Sequence, residues 1–187
     1  MGLLKVSSIL IIFTTTLLNP LTIMSMQQQE EQVTGFMTTD EDLISKTCNQ
    51  TSYSDVCMST LLSNSSTHNA TVADLAAVSI IATTSHAINT TAIIAAMING
   101  SGDDLDQCLN DCSVEYGDAV SELQEAVEAL QRCDYETVNV KVSAAMTNSD
   151  TCEGGFEDEG ESSPLTQRNE FFFKLCSNAL AIVKLLG

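Results

Sequence analysis

Residues 105–130 read LDQCLNDCSVEYGDAVSELQEAVEAL. Leu105, Leu109, Cys112, Tyr116, Ala119, Leu123, Ala126 and Leu130 step by 4, 3, 4, 3, 4, 3, 4. Such spacing puts them on one seam of a helix, the geometry of a left-handed bundle. Glu122, Glu125 and Glu128 fall off the seam and are expected in water. One amphipathic helix cannot bury its own stripe, so its partners must lie elsewhere in the chain.

Upstream, residues 71–98 form a long helical pattern, with Ile81, Ile88, Ala95 and Ile98 along one stripe. The run Asn99-Gly100-Ser101-Gly102 stops it. Downstream, residues 134–149 place Tyr135, Val138, Val142 and Ala145 inward. Residues 153–163 read as an acidic, glycine-containing loop. Pro164 suits the first turn of a last helix, which buries Leu165, Phe172, Leu175, Ala179, Ile182 and Leu186. Residues 40–47 and 53–62 are shorter helical segments, and 64–69 is a polar break. No alternating strand pattern stands out. The expected fold is all-α: an up-down-up-down four-helix bundle with an N-terminal helical hairpin extension at 40–62.

The 187 residues suffice for one domain with a real core. At 44% hydrophobic, the chain is too apolar to be disordered. Seven Lys and Arg against 25 Asp and Glu give a net charge of −18. With no basic stripe, nucleic acid and anionic membrane surfaces are excluded as partners.

Residues 1–26 read as a secretory signal, with Lys5 as the positive region and 8–18 as its apolar core. That core is too short for a membrane span; an uncleaved anchor is the competing reading. Cleavage near Ser25 or Met26 would remove one cation and no acid, leaving the remainder more acidic still. Residues 27–35 are Gln- and Glu-rich and expected to be flexible, and 36–187 is the helical domain. Five Asn-x-Ser/Thr sequons follow the signal: Asn49, Asn64, Asn69, Asn89 and Asn99. Together with the signal they point to a secreted, glycosylated protein. Asn89, inside a helical pattern, is the weakest of the five.

An oxidising compartment makes the seven cysteines disulfide candidates. From Cys112 to Leu130 a helix descends about 27 Å, and from Tyr135 to Cys152 the next climbs about 26 Å. Cys152 therefore returns to the level of Cys112. Cys108, one turn away, is the rival partner for Cys152, about 6 Å off level. Cys133 lies at the opposite end of the bundle. Cys176 sits among apolar residues as a buried thiol. Cys48 and Cys57 are close enough in sequence to close a local loop.

Several ordered segments resemble the plant invertase/pectin methylesterase inhibitor family. CNQTSYSDVC (Cys48 to Cys57) is similar to its N-terminal hairpin. CLNDCSVEYGDAVSEL (Cys108 to Leu123) resembles its third-cysteine helix, within the pollen-allergen-like branch. DYETVNVKVSAAMTNSDTCEGGF (Asp134 to Phe156) and SPLTQRNEFFFKLCSNALAIVKLL (Ser163 to Leu186) resemble its fourth-cysteine segment and last helix. The resemblance covers residues 36–187. It implies disulfides Cys48–Cys57 and Cys112–Cys152, a four-helix bundle with a helical hairpin, and an extracellular protein inhibitor.

No catalytic or metal chemistry competes with this reading. His68 lies in a polar loop and His86 on a long helix, with no Gly-x-Ser-x-Gly elbow or His-Glu-x-x-His. Cys108 and Cys112 have no matching ligand pair for a metal. The run from Glu157 to Glu161 lacks the alternation of a calcium loop. No cofactor is called for.

The expected function is reversible, one-to-one occlusion of the substrate cleft of a secreted carbohydrate-active enzyme, by a protein that is monomeric when free. An acidic chain is repelled by pectate and suits a basic protein partner. Exposed positions on helices 71–98 and 105–130 are the candidate interface. Inhibitors of the invertase type carry Asp-Pro-Lys-Phe after the heptad helix. This chain has Asp134-Tyr135-Glu136-Thr137 there, which by resemblance favours pectin methylesterase as the target. Invertase is the alternative; a non-inhibitory, allergen-like structural or storage protein is the reading from another class. The expected site is the apoplast.

Overall fold

The computed structural model describes residues 38–64, 70–98 and 103–187, with the side chains of 38–40, 64, 103 and 104 left aside. The expected signal and 27–35 segment, His68, Asn69 and Asn99 lie outside the described residues, as does the side chain of Asn64. Among the described residues there are six α-helices and no strand: α1 (Thr38–Cys48), α2 (Ser54–Asn64), α3 (Val72–Ile98), α4 (Asp103–Gln131), α5 (Tyr135–Glu159) and α6 (Thr166–Val183). The last four form the bundle. Helix α4 packs on α3 and α5, and α6 closes the ring against α5 and α3. Helix α2 rests on α3 and α6 and is tied to α1 by the Cys48–Cys57 disulfide, Cα–Cα 5.5 Å.

The heptad seam is the centre of the core. Leu109, Cys112, Tyr116, Ala119, Leu123, Ala126 and Leu130 are all buried. Leu105, at the start of the seam, is only partly buried. The turn after α4 follows from its hydrogen bonds. Cys133 takes a left-handed φ of 56°. Its N–H bonds to Leu130 O at 2.9 Å, and the Asp134 N–H reaches back to Ala129 O at 3.0 Å. This is a Schellman ending. Asp134 then caps α5, accepting from Thr137 N at 3.2 Å and Thr137 Oγ1 at 2.7 Å. One residue thus ends the turn and starts the next helix. These bonds hold the Asp134 carboxyl below its ordinary pKa.

The antiparallel register is visible in three pairs. Lys141 meets Glu125 at 2.6 Å, Asn148 Nδ2 donates to Glu122 at 3.2 Å, and Cys112 joins Cys152 with Cα–Cα 4.7 Å. As the α5 number rises, the α4 number falls.

Two expectations need correction. The acidic stretch 153–163 is not a loop from its start: α5 continues to Glu159. Phe156, fully buried, anchors this extra length. Gly160, at φ 70°, ends the helix, and the Glu161 N–H bonds to Phe156 O at 2.9 Å. The second correction concerns α3. Its buried face is Leu75, Ala76, Ser79, Ile80, Thr83, Ala87, Thr90 and Ile94. Ile81 and Ile88 are each 52% exposed, Ala95 is also exposed and Ile98 only partly buried. The helix has two apolar stripes, and the inward one uses Ser and Thr. Buried Thr83 and Thr90 satisfy their hydroxyls on Ser79 O (2.8 Å) and His86 O (2.9 Å), four residues back. Such residues enter a core without an orphan donor, so polarity alone assigned the wrong face.

Candidate functional site

The start of α6 is held by a buried polar chain. Tyr116 Oη donates to Asn169 Oδ1 at 2.7 Å, and Asn169 Nδ2 donates to Glu153 Oε2 at 2.6 Å. Glu153 also accepts from Ser163 Oγ (2.9 Å) and Thr166 Oγ1 (2.5 Å). The donors explain how a carboxylate can sit beside the core. Burial pushes the Tyr116 phenol well above its usual range, so it stays a donor. This network ties α4, α5 and α6 together.

His86 is equally structural. Its ring lies against Phe171 and Phe172, with centroids 5.2 and 6.1 Å away. Its Nε2 is 3.2 Å from Arg168 O. Arg168 crosses back to α3, donating from Nε to Thr90 Oγ1 (3.1 Å) and from Nη2 to Asn89 Oδ1 (2.6 Å). Burial, then the Arg168 guanidinium, lowers the His86 pKa. The neutral ring is the native form. Below about pH 6.5 the unfolded chain gains a proton that the folded one refuses. Stability therefore falls as pH drops from 6.5 to the lowered folded value, by at most about 1.4 kcal/mol per pH unit for one proton, and this contribution then levels off. Urea unfolding at pH 5, 6 and 7.5 should show a steeper acid loss for the native chain than for His86→Gln. Parallel curves would contradict this role.

Among the described residues no group of three His, Cys, Asp or Glu is placed to hold a metal. The expected pairing of the cysteines is present: Cys48–Cys57 and Cys112–Cys152. Cys108 and Cys176 are buried thiols and Cys133 an exposed one. Burial pushes the Cys108 thiol up, and the carboxylates of Glu159, Asp111 and Glu161 add to it. Asn49 is exposed in the turn after α1. Asn89 is exposed but mid-helix, its side-chain oxygen bound to Arg168.

What remains is surface, and its charge is uneven. The α4–α5 side carries Asp111, Glu115, Asp118, Glu122 and Glu125. Lys141–Glu125 is the one ion pair among the described residues. Partial burial, then Asp118 and Asp111, raises the Glu115 pKa. The α3–α4 side differs. Helix α3 has 27 residues with one carboxylate, Asp74, and no Lys or Arg. Ile81, Ser85 and Ile88 line an open groove with Gln124, Val127 and Glu128 of α4, of about 510 Å³. The expected interface helices thus meet in an apolar, nearly uncharged face. The overturned stripe of α3 was the available sign of it.

The family model of the plant invertase/pectin methylesterase inhibitors matches residues 42–182. The chain belongs to this family. The bundle is that of an enzyme inhibitor, not of an enzyme. A Platanus acerifolia protein, provisionally named an invertase inhibitor, is 37% identical over 135 residues, 71% of this chain and 75% of its own. A pectinesterase inhibitor of Actinidia deliciosa is 32% identical over 151 residues, 79% of this chain and 80% of its own. The crystal structure of a mutant form of a pectin methylesterase inhibitor from Arabidopsis matches with a TM-score of 0.67. It is 27% identical, covering 77% of this chain and 97% of that one.

Proposed function

We propose that this protein is secreted and inhibits pectin methylesterase by docking its α3–α4 face over the enzyme's substrate cleft, one to one. The observation that carries the docking face is the contrast between a mostly apolar groove, with Glu128 as its one charged lining residue, and the acidic α4–α5 side. Ile81 and Ile88 are large, exposed and unneeded by the core. A patch of this kind marks a protein contact. The surrounding carboxylates steer a basic enzyme and hasten encounter more than they add affinity.

The choice of enzyme rests on the turn between α4 and α5. Asp134 there is a helix cap and Tyr135 opens α5, so the turn offers neither the Lys nor the Phe expected of an invertase inhibitor. The pectinesterase inhibitors among its relatives support the same choice. The Platanus relative's name keeps invertase as the second reading. Secretion to the apoplast, with glycans at Asn49 and other accessible sequons, completes the proposal.

The test is titration of the oxidised, secreted protein into a plant pectin methylesterase and a cell-wall invertase in parallel. Methylesterase activity should vanish near equivalence, with an association rate that falls as salt rises. Ile81→Glu should weaken inhibition by about tenfold or more, since burying an unpaired charge costs over 1.4 kcal/mol. Loss of invertase activity alone, or of neither, would refute the target.

A further inference from the structure

The outer stripe of α3 is self-complementary, and we propose that a second copy of this chain covers it, forming a reversible antiparallel dimer that hides the docking face. By length and composition α3 is as apolar as a membrane-spanning helix, yet only 28% of its most apolar stretch is buried. Its surplus lies outside, at Ile81, Ser85, Ile88, Ala92 and Ala95, all exposed. Ile81, Ile88 and Ala95 recur every seven residues, with Ser85 and Ala92 between them. That is the spacing with which one helix receives another. Small residues between the isoleucines allow close approach of the two helices.

A two-fold axis near Thr84 and Ser85 would set Ile81 of one copy against Ile88 of the other. Both copies would then use the same patch, as a closed dimer requires. Charge narrows the choice of face. Two chains of −18 repel each other, and the α4–α5 side would oppose carboxylate to carboxylate. The α3 face has no carboxylate beyond Asp74 in its first turn, and Glu128 at the groove's rim is the nearest from α4. The area is also adequate. At 1.5 Å per residue α3 is about 40 Å long, and with the flank of α4 about 20 Å wide, giving roughly 800 Å² per copy.

Sedimentation equilibrium on the oxidised, secreted chain tests this without any enzyme. The average mass should rise from one chain toward two with concentration, with a dissociation constant on the order of 100 µM or tighter. Salt should strengthen the dimer by screening the repulsion, the opposite of its effect on enzyme encounter. Glu128→Gln should strengthen it, and Ile88→Glu should abolish it. Both positions are exposed, and an unchanged circular dichroism spectrum and melting curve would show that each variant keeps the fold. In a Cys133→Gly background, Ser85→Cys should oxidise to a covalent dimer. A mass that stays at one chain at all salt concentrations, with no Ser85→Cys cross-link, would overturn the proposal.

The masking part rests on the α3–α4 face being the enzyme-docking face. The cross-linked dimer should therefore fail to inhibit, and the monomer fraction of the same Ser85→Cys variant, with its native disulfides intact, should inhibit. A dimer that forms but still inhibits would remove masking and that docking face, and leave the self-association standing.

Discussion

Replacing Cys152 with alanine should cost roughly 4 kcal/mol of stability, the loop-entropy value for a bridge of this span. The bond joins residues 40 apart in sequence, so its loss frees most of α4, the turn and α5 in the unfolded chain. For a domain of this size the melting temperature should fall by about 8 to 16 °C. Alanine is preferred to serine because the position is 2% exposed and a new hydroxyl there would need a partner. Cys112→Ala is expected to be milder. It leaves Cys152 with Cys108, one turn along the same face, whose Sγ lies 3.8 Å from Gly155 O. In the native protein the Cys108 thiol is buried and kept protonated by burial and neighbouring acids, so it does not attack the bridge. During oxidative folding of Cys112→Ala that protection is absent. Peptide mapping should then find Cys108 joined to Cys152. Calorimetry giving equal losses for both variants, with no new bridge, would show that α4 cannot turn far enough to offer Cys108.

That bridge was legible in the sequence because helical rise is nearly invariant. Counting residues down α4 and up α5 placed Cys112 and Cys152 at one level, with Cys108 a turn away. The seam of α4 was legible because its polar residues are mostly carboxylates, and an unpaired charge does not share a core. Helix α3 offered no such contrast. Its non-apolar residues are mostly Ser and Thr, whose hydroxyls can bond to carbonyls four residues back and so face either way. Thr83, Thr84, Thr90 and Thr91 all do this. With two apolar stripes on one helix, hydrophobicity could not say which was inside. The stripe assigned to the core is the one the fold leaves exposed, at Ile81 and Ile88. The buried network around Asn169 was also beyond reach, because Tyr116, Glu153 and Asn169 sit on three different helices and meet only once those helices pack.

The end of α5 shows local chemistry overruled by packing. Glu153-Gly154-Gly155-Phe156-Glu157-Asp158-Glu159 has the composition of a loop, with two helix-weakening glycines among acids. Phe156 reverses the balance. It is fully buried, four residues beyond the bridged Cys152, and its carbonyl closes the helix end through Glu161 N. Removing its ring should therefore cost about 3 to 5 kcal/mol, the usual range for a buried Phe to Ala change. The glycines should respond in the opposite direction. A Cβ added at Gly154 or Gly155 meets nothing within 4 Å, and alanine in a helix interior is worth about 0.5 to 1 kcal/mol over glycine. Gly160→Ala should destabilise, because its φ of 70° is left-handed. Urea unfolding of the four variants reads all three signs together. A loop at 153–159 would give a small effect at Phe156 and no gain at Gly154 or Gly155. A large loss, two gains and a loss require the helix to run through to Glu159.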